Sequence, residues 1–486
     1  MPFLAAKVPE LTLDDILVLE DTRELMAFEA RDTGVPMWPL VRIRFLRQIL
    51  GDLLFSGDLA GQRVTLGQPG KAFAAMGRYV LHNTFSPSPQ GRITLMSTAL
   101  GGGARDGRWF NRLTDHFAMA YPDISCVVED DLHWHYPGPR HFERIRYNAP
   151  SMAWSVMLGK TLVRKADYSA ATALVDLVNS RARDSIGWEM AVRERHMLIG
   201  KLAEVSAALP ATLAMYGRLF GRLGTRLLLK GGGCYGGASV APIVAARRMG
   251  IVTAEHQHGL ISKGMDAYNI GSELAGSEAY KSCLPDYLLT FGPWWNDKFR
   301  LPVVPVAIGS PHRSAVMTKR SGIGLDASAR RDVLVLSDGV DADIFIDLAA
   351  QIAEALTTRR MRVVFRPHPV ERDSRDWRGQ LPTGVVLDEN IDLYDSFDSA
   401  LAVVSEVTTG AFEALGLVPH ILVRDTAKTR FNYPDGSFAL FRTIDDLLRL
   451  LDAATEQTAT SLTKAIWADN WQDNYARFLQ AQGVGI

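Results

Sequence analysis

Two short segments carry residue types that bind phosphate. Phe365-Arg366-Pro367-His368-Pro369 sets a guanidinium and an imidazole among prolines. Ser405-Glu406-Val407-Thr408-Thr409-Gly410 sets three hydroxyls ahead of the helix-forming run Ala411 to Leu415. The prolines fix the backbone and remove ladder donors, so Arg366 and His368 project from a rigid loop. Each segment follows an apolar run, Met361 to Val364 and Leu401 to Val404, with the length and composition of a buried strand. Loops at the carboxyl ends of strands in an α/β sheet are where ligands bind. Arg366 and His368 suit charge-assisted hydrogen bonds, and a helix start near Thr408, Thr409 and Gly410 favours an anion. Together they describe a pocket for a nucleotide phosphate.

Three other motifs could act on the rest of a substrate. His256-Gln257-His258-Gly259 follows the run Ile251 to Ala254, and imidazole is suited to general acid/base work near neutral pH. Alternating histidines also suggest a metal, but no paired cysteines or carboxylate cluster accompany them in sequence, so no metal ligands are assigned. His258 is the catalytic candidate and His256 a loop support. Glu129-Asp130-Asp131 ends the run Ile124 to Val128, and neighbouring carboxylates repel, which makes one a usable base. The plainer reading of that triplet is a solvated loop. His133-Trp134-His135 reads as a surface strand. The glycine-rich loops 101–103 and 231–237 permit close backbone approach, but the second lacks the order and downstream acid of a dinucleotide fingerprint.

The elements that must hold these loops alternate along the chain. Helices dominate the first ninety or so residues, among them the arginine-bearing Leu40 to Leu54, which either packs on its own domain or lies on a membrane surface. Strands Ile93 to Met96 and Ile124 to Val128 enclose a glycine loop and a helix, Trp109 to Ala120. A long helical stretch covers about Ala153 to Phe220. Strands Arg226 to Leu229, Ile251 to Ala254, Tyr287 to Thr290 and Val303 to Ile308 complete one half. Beyond a polar linker running to about Arg330, strands Val333 to Leu336, Arg362 to Phe365, Val385 to Leu387, Leu401 to Val404 and His420 to Val423 build another. Thr443 is placed to cap a helix from Ile444, and an amphipathic helix spans about Leu462 to Leu479. Alternating strands and helices imply parallel sheets. The expected fold class is α/β, with an N-terminal domain over residues 1–311 and a C-terminal domain over 312–461. Residues 462–486 are expected to pack back toward the first.

Composition agrees and excludes some functions. At 486 residues two domains are the default; 47% of residues are hydrophobic, 22% charged, and the net charge is -1. Such balance gives no global pull toward nucleic acid. Cys126, Cys234 and Cys283 have no metal-type spacing and suit a reducing cytoplasm. Acidic residues break up Leu11 to Leu19, so no signal peptide is expected, and no run approaches the ~20 apolar residues of a membrane span.

Arg-Pro-His-Pro after a strand, the Thr-Thr-Gly-x-x-Glu helix start and the His-Gly loop of the preceding domain resemble bacterial GT-B glycosyltransferases of surface polysaccharides. Sialyl- and polysialyltransferases, Kdo transferases and CDP-glycerol glycerophosphotransferases are among them. Pro285 to Gly292 and Ile308 to Pro311 are similar to that group's passage between its domains. The resemblance implies a GT-B fold of two Rossmann-like domains facing a cleft, with extra N-terminal helices. It implies a nucleotide-sugar donor, CMP-linked and carrying an acidic sugar, and a glycan acceptor, with no separate cofactor. Arg366, His368, Ser405, Thr408, Thr409 and Gly410 would bind the nucleotide phosphate, and Glu413 would lie near the ribose hydroxyls. His258, Glu129 and Asp130 would serve the chemistry. No Asp-x-Asp stands where a divalent ion would be held, so a metal-free reaction is expected. Lys230 and glycines 231–233 stand where a retaining nucleophile would be sought, which leaves Glu129, Asp130, Glu255 or an inverting reaction. Transfer from a CDP-polyol, 2-epimerisation of a sugar nucleotide, and glycan or nucleotide binding without turnover are the alternatives. Cytoplasmic location is expected, with peripheral contact at the inner membrane if the arginine helix is exposed.

Overall fold

Near-continuous apolar runs, buried on both faces, form two parallel sheets. The first uses β1 (Ile93–Thr98), β2 (Ser125–Asp130), β3 (Ile145–Tyr147), β4 (Leu227–Lys230), β5 (Val252–His256), β6 (Tyr287–Thr290) and β7 (Val304–Ala307), in spatial order β7-β6-β5-β4-β1-β2-β3. The second uses β8 (Asp332–Leu336), β9 (Arg362–Arg366), β10 (Val385–Leu387), β11 (Ala400–Ser405), β12 (His420–Arg424) and β13 (Ala439–Phe441), in order β10-β9-β8-β11-β12-β13. Each order reverses once, between β1 and β4 and between β8 and β11, and a crevice opens at such a switch point. This computed structural model describes residues 11–55, 82–86, 90–98, 101–130, 138–320, 330–372, 376–434, 436, 438–453 and 460–485. Asp131 and the His133-Trp134-His135 motif lie outside them.

Helices cover both sheets. In chain order they include α1 (Trp38–Leu53), α2 (Asp115–Ala120), α3 (Ala149–Leu162), α4 (Lys165–Ile186), α5 (Val192–Leu223), α6 (Val240–Arg248), α7 (Pro311–Arg320), α8 (Ala342–Ala355), α9 (Thr409–Ala414), α10 (Ala427–Asn432), α11 (Ile444–Asp452) and α12 (Trp471–Ala481). Phe345, Leu348 and Ile352 of α8 bury a four-residue stripe against Val333, Val335 and Phe365. Trp471, Tyr475 and Phe478 of α12 return to the first sheet and pack with Leu95, Leu229 and Leu289. Two Rossmann-like lobes thus face one another, which is the GT-B architecture expected from the sequence.

Several elements differ from their expected form. Residues 109–120 are not one helix, because Arg108–Asn111 pairs with Gly102–Arg105 as an antiparallel hairpin and only Asp115–Ala120 is helical. The stretch from 153 to 220 is three helices, interrupted where Gly187 takes a left-handed conformation after α4. The final helix is split in two, Thr460–Ile466 and α12, with Asn470 at φ 56° in the break. Thr443 does cap α11, accepting from Asp446 N–H while the Asp446 carboxylate accepts from Thr443 N–H.

Helix α1 is interior. Arg42 is buried against Glu20 at 2.6 Å, and Arg47 pairs with Asp266 at 3.3 Å beneath the Tyr235 ring. The reading of this helix as a membrane-surface element is therefore corrected: two of its arginines answer internal carboxylates. Among the described residues one helix, α5, is long and apolar enough to cross a membrane, although half of its apolar window is buried in the fold.

Candidate active site

The exit loops of β8, β9 and β11 meet at the crevice of the second lobe. Arg366, at the end of β9, does not reach into it. Its guanidinium donates to Asp388 at 2.5 Å, to the carbonyls of Asn390 and Ile391 at 2.9 and 3.0 Å, and to Ser396 at 3.2 Å. The expected phosphate cation is thus a corrected assignment, since its charge is already matched by a buried carboxylate and it fixes the loop instead. His368 sits on Gly339, where a Cβ would lie 2.8 Å from its Nδ1. Nδ1 accepts from Val370 N–H at 3.4 Å, which leaves the proton on Nε2. Burial lowers the imidazole pKa to about 4, against the pull of Asp338, so His368 is neutral at pH 7 and acts as a hydrogen-bond donor rather than a cation.

Thr408 caps α9, accepting from Gly410 N–H at 3.1 Å, while its own N–H donates to the Tyr433 hydroxyl at 2.9 Å. Thr409 has no hydrogen-bond partner for its hydroxyl among the described residues. A Cβ at Gly410 would lie 2.7 Å from the end of the Leu336 side chain, which would have to shift to admit it. Ser405 is fully buried with its hydroxyl unpartnered, and one carboxylate oxygen of Glu413 is likewise buried and unpartnered. Strand β8 separates β9 from β11, so His368 and Thr409 flank its exit loop without touching. Two strand spacings amount to roughly 10 Å, the scale of a nucleotide rather than of one phosphate.

A residue pattern invisible in the sequence holds this crevice together. Lys428 of α10 is completely buried, paired with Asp338 of the β8 exit, with Glu406 of the β11 exit at 2.7 Å and with Asp341 at 3.4 Å. Burial alone would strip its proton, but Glu406 and Asp338 outweigh it and hold the ammonium above its usual range. One cation thus ties two exit loops to helix α10.

In the first lobe His258 lies on the β5 exit loop with its Nδ1 3.3 Å from Oε1 of Glu255. Glu255 is fully buried and accepts from Cys234 N–H at 2.6 Å and from the Tyr268 hydroxyl at 2.8 Å. Burial pushes its carboxyl up, but His258 and Cys234 together bring it below its ordinary value. A buried carboxylate orienting an imidazole is the arrangement of a general base. His256 is buried and neutral, its pKa lowered to about 4 by burial, with both ring nitrogens unpartnered.

Glu129 and Asp130 are corrected as catalytic candidates. Consecutive strand residues point to opposite faces, so the two carboxylates do not form a repelling pair. Glu129 is fully buried against Arg140, at 2.9 Å, and Asn111, at 3.4 Å. Asp130 pairs with Lys230 at 3.2 Å and accepts from Asn148 at 2.7 Å. Lys230, at the end of β4, therefore answers Asp130 where a retaining nucleophile was sought.

The loops of the two lobes meet. A Cβ at Gly259, beside His258, would lie 3.7 Å from the Thr409 hydroxyl. On the opposite rim a Cβ at Gly103 would lie 3.8 Å from Ile391. Next to that hairpin stands Arg112, half-buried, whose guanidinium has no hydrogen bond or ion pair among the described residues. Its charge acts on both His368 and Asp392. Asp392 pairs with His312 at 2.9 Å, and although burial raises its carboxyl, that pairing brings its pKa down to about 2. Arg112 is the cleft cation the motifs did not mark; its one signal in the sequence is its place shortly after the glycine loop.

No family model matches the chain, and no curated protein matches it. Solved structures similar to it include a UDP-GlcNAc 2-epimerase from Methanocaldococcus jannaschii, 10% identical with a TM-score of 0.45, covering 80% of this chain and 99% of that one. The glycotransferase of kitacinnamycin is 13% identical with a TM-score of 0.45, covering 81% and 99%. The α,α-trehalose 6-phosphate synthase of Burkholderia multivorans is 11% identical with a TM-score of 0.42, covering 81% and 99%. Likeness at these identities and scores carries no argument about activity, which rests on the site.

Proposed function

We propose that the protein is a glycosyltransferase that moves an acidic sugar, of the Kdo or sialic acid type, from a CMP-linked donor to a glycan acceptor in bacterial surface polysaccharide assembly. The observation that carries this reading is His258, held by a buried carboxylate on one wall of the cleft, with the Thr409 hydroxyl facing the same loop from the other. The motifs that resemble the surface-polysaccharide enzymes supply the donor and acceptor classes. In this reading the donor lies across the β8 exit loop, with Nε2–H of His368 donating to its one phosphate, and the Thr409 hydroxyl, roughly two strand spacings away, donating to the sugar end of the donor. The unpartnered oxygen of Glu413 accepts from a ribose hydroxyl. Arg112 meets the charge that develops on the phosphate as it leaves, which is electrostatic stabilisation aimed at the transition state.

The step balances simply. The acceptor oxygen forms a bond to the anomeric carbon, the bond from that carbon to the phosphate oxygen breaks, and the nucleotide departs with its electron pair. The acceptor proton passes to His258, whose positive charge Glu255 then faces.

A thermal-shift screen against CMP, CDP, UDP and GDP tests the donor. At one hundred times its dissociation constant the right nucleotide stabilises by about 2.7 kcal/mol. A shift with UDP and none with cytidine nucleotides would overturn the donor assignment. Glycerol phosphate transfer from CDP-glycerol, with CMP released, would replace the reaction by polyol phosphate transfer. His258→Ala should keep the shift and lose turnover.

A further inference from the structure

Helix α3 carries an exposed apolar surface on the first lobe. Gly159 lets it press on α5, where a Cβ would lie 2.6 Å from the Glu204 carbonyl oxygen. That contact buries one side and leaves the other bare. Trp154 and Met157 are each 46% exposed and Leu162 is 42% exposed. With half-buried Leu158 they recur at helical spacing, so they form one stripe rather than scattered positions.

The charges around this stripe are mainly positive, and an acid beside it, Glu204 of α5, faces Lys201 at 4.0 Å. Lys160, Arg164 and Lys165 are all exposed, and residues 149–166 contain no aspartate or glutamate. Lys201 of α5 lies close enough for the charge of Lys160 to act on it. The first acid beyond, Asp167, is buried and ion-paired with Arg31. An apolar stripe with an indole, bordered mainly by lysine and arginine, is complementary to a bilayer whose surface carries anionic lipid. The net positive border disfavours pairing with a second copy, since two such faces would set mostly like charges against each other.

We propose that the outer face of α3 seats the protein on an anionic membrane surface. Trp154, Met157, Leu158 and Leu162 enter the boundary between headgroups and acyl chains, and Lys160, Arg164 and Lys165 meet lipid phosphates. The surface lies outside the cleft residues, so the proposal stands apart from the reaction assigned to the protein.

Vesicle sedimentation of the full chain tests it, using phosphatidylcholine vesicles with and without about one-third phosphatidylglycerol. The protein should sediment with the anionic vesicles, remain in solution with the neutral ones, and be released by salt. Replacing Lys160, Arg164 and Lys165 by glutamine should weaken binding about fivefold per charge. The Trp154→Ser, Met157→Ser double variant should lose binding at an unchanged melting temperature, because both positions are exposed. Failure to sediment with anionic vesicles would overturn the proposal, as would undiminished binding by the double variant. A dimer in analytical ultracentrifugation that the double variant dissolves, with no vesicle binding, would assign the face to a second copy instead.

Discussion

Glu255→Gln separates the orienting carboxylate from the imidazole it serves. The substitution keeps the side-chain shape and one acceptor oxygen for Cys234 N–H or the Tyr268 hydroxyl, but removes the charge 3.3 Å from Nδ1 of His258. Two unit charges at that distance attract by about 5 kcal/mol at an effective dielectric of 20 and about 1.3 kcal/mol in water. Glu255 is fully buried while the His258 side chain is 27% exposed, so the loss lies between these limits, about 2 to 3 kcal/mol. If the acceptor proton reaches His258 in the transition state, kcat falls by roughly thirty- to 150-fold. Nucleotide release at saturating donor and acceptor measures the rate. The nucleotide-induced thermal shift should match that of the native protein, because Glu255 does not touch the second lobe's crevice. A variant with native kcat, alongside an inactive His258→Ala, would show that the carboxylate has no part in the chemistry. Turnover by His258→Ala would remove the general base altogether.

Two arginines should behave oppositely. Arg112→Met should leave the melting temperature unchanged and weaken nucleotide binding about ten- to 150-fold, the loss of one charged hydrogen bond. Arg366→Met should lower the melting temperature, because Asp388 is left buried without its cation at a cost of about 3 to 5 kcal/mol. Lys428→Met should be as damaging, since it abandons Asp338, Asp341 and Glu406 together; loss of cooperative unfolding in calorimetry checks it. Acid should weaken the fold through His256 and His368, whose pKa values near 4 lie below that of an unfolded histidine. Their contribution is complete above pH ~6.5 and is lost as pH falls toward 4, at about 1.4 kcal/mol per pH unit for each histidine. Urea midpoints across that range should show the slope, and His256→Leu should flatten it by one proton.

Local pattern carried the fold a long way. Runs such as Tyr287 to Thr290 and Val385 to Leu387 coincide with their strands because buried parallel strands are apolar throughout. The edge strands β3 and β13 escaped notice, because the first has Arg146 at its centre and the second is exposed at two of its three positions. The hairpin at 102–111 did too, since its pairing depends on partners rather than on residue type. Placement of the site loops was legible for the same reason: they follow strands. Their chemistry was not. Whether Arg366 or Glu129 is free depends on Asp388 and Arg140, whose approach only the folded chain sets. Arg112 shows the converse, an unremarkable residue in sequence whose guanidinium makes no ion pair among the described residues, although its charge reaches Asp392.

Helix α10 also constrains how the cleft can open. Any side chain at Gly264 would overlap the Phe431 carbonyl, and the Phe55 ring lies 5.2 Å from the ammonium of Lys428. At this corner the first lobe is pressed directly onto the second, behind the His258 loop. Phe412 packs on Trp294 and Trp295 in the same way, with ring centroids 5.4 and 4.8 Å apart. The contact at Gly103 and Ile391, on the other flank of the second sheet, is ordinary van der Waals touch. Opening the cleft on the α10 side would therefore have to break close backbone and aromatic packing, which ties the spacing of the His258 loop and Thr409 to the seam behind them.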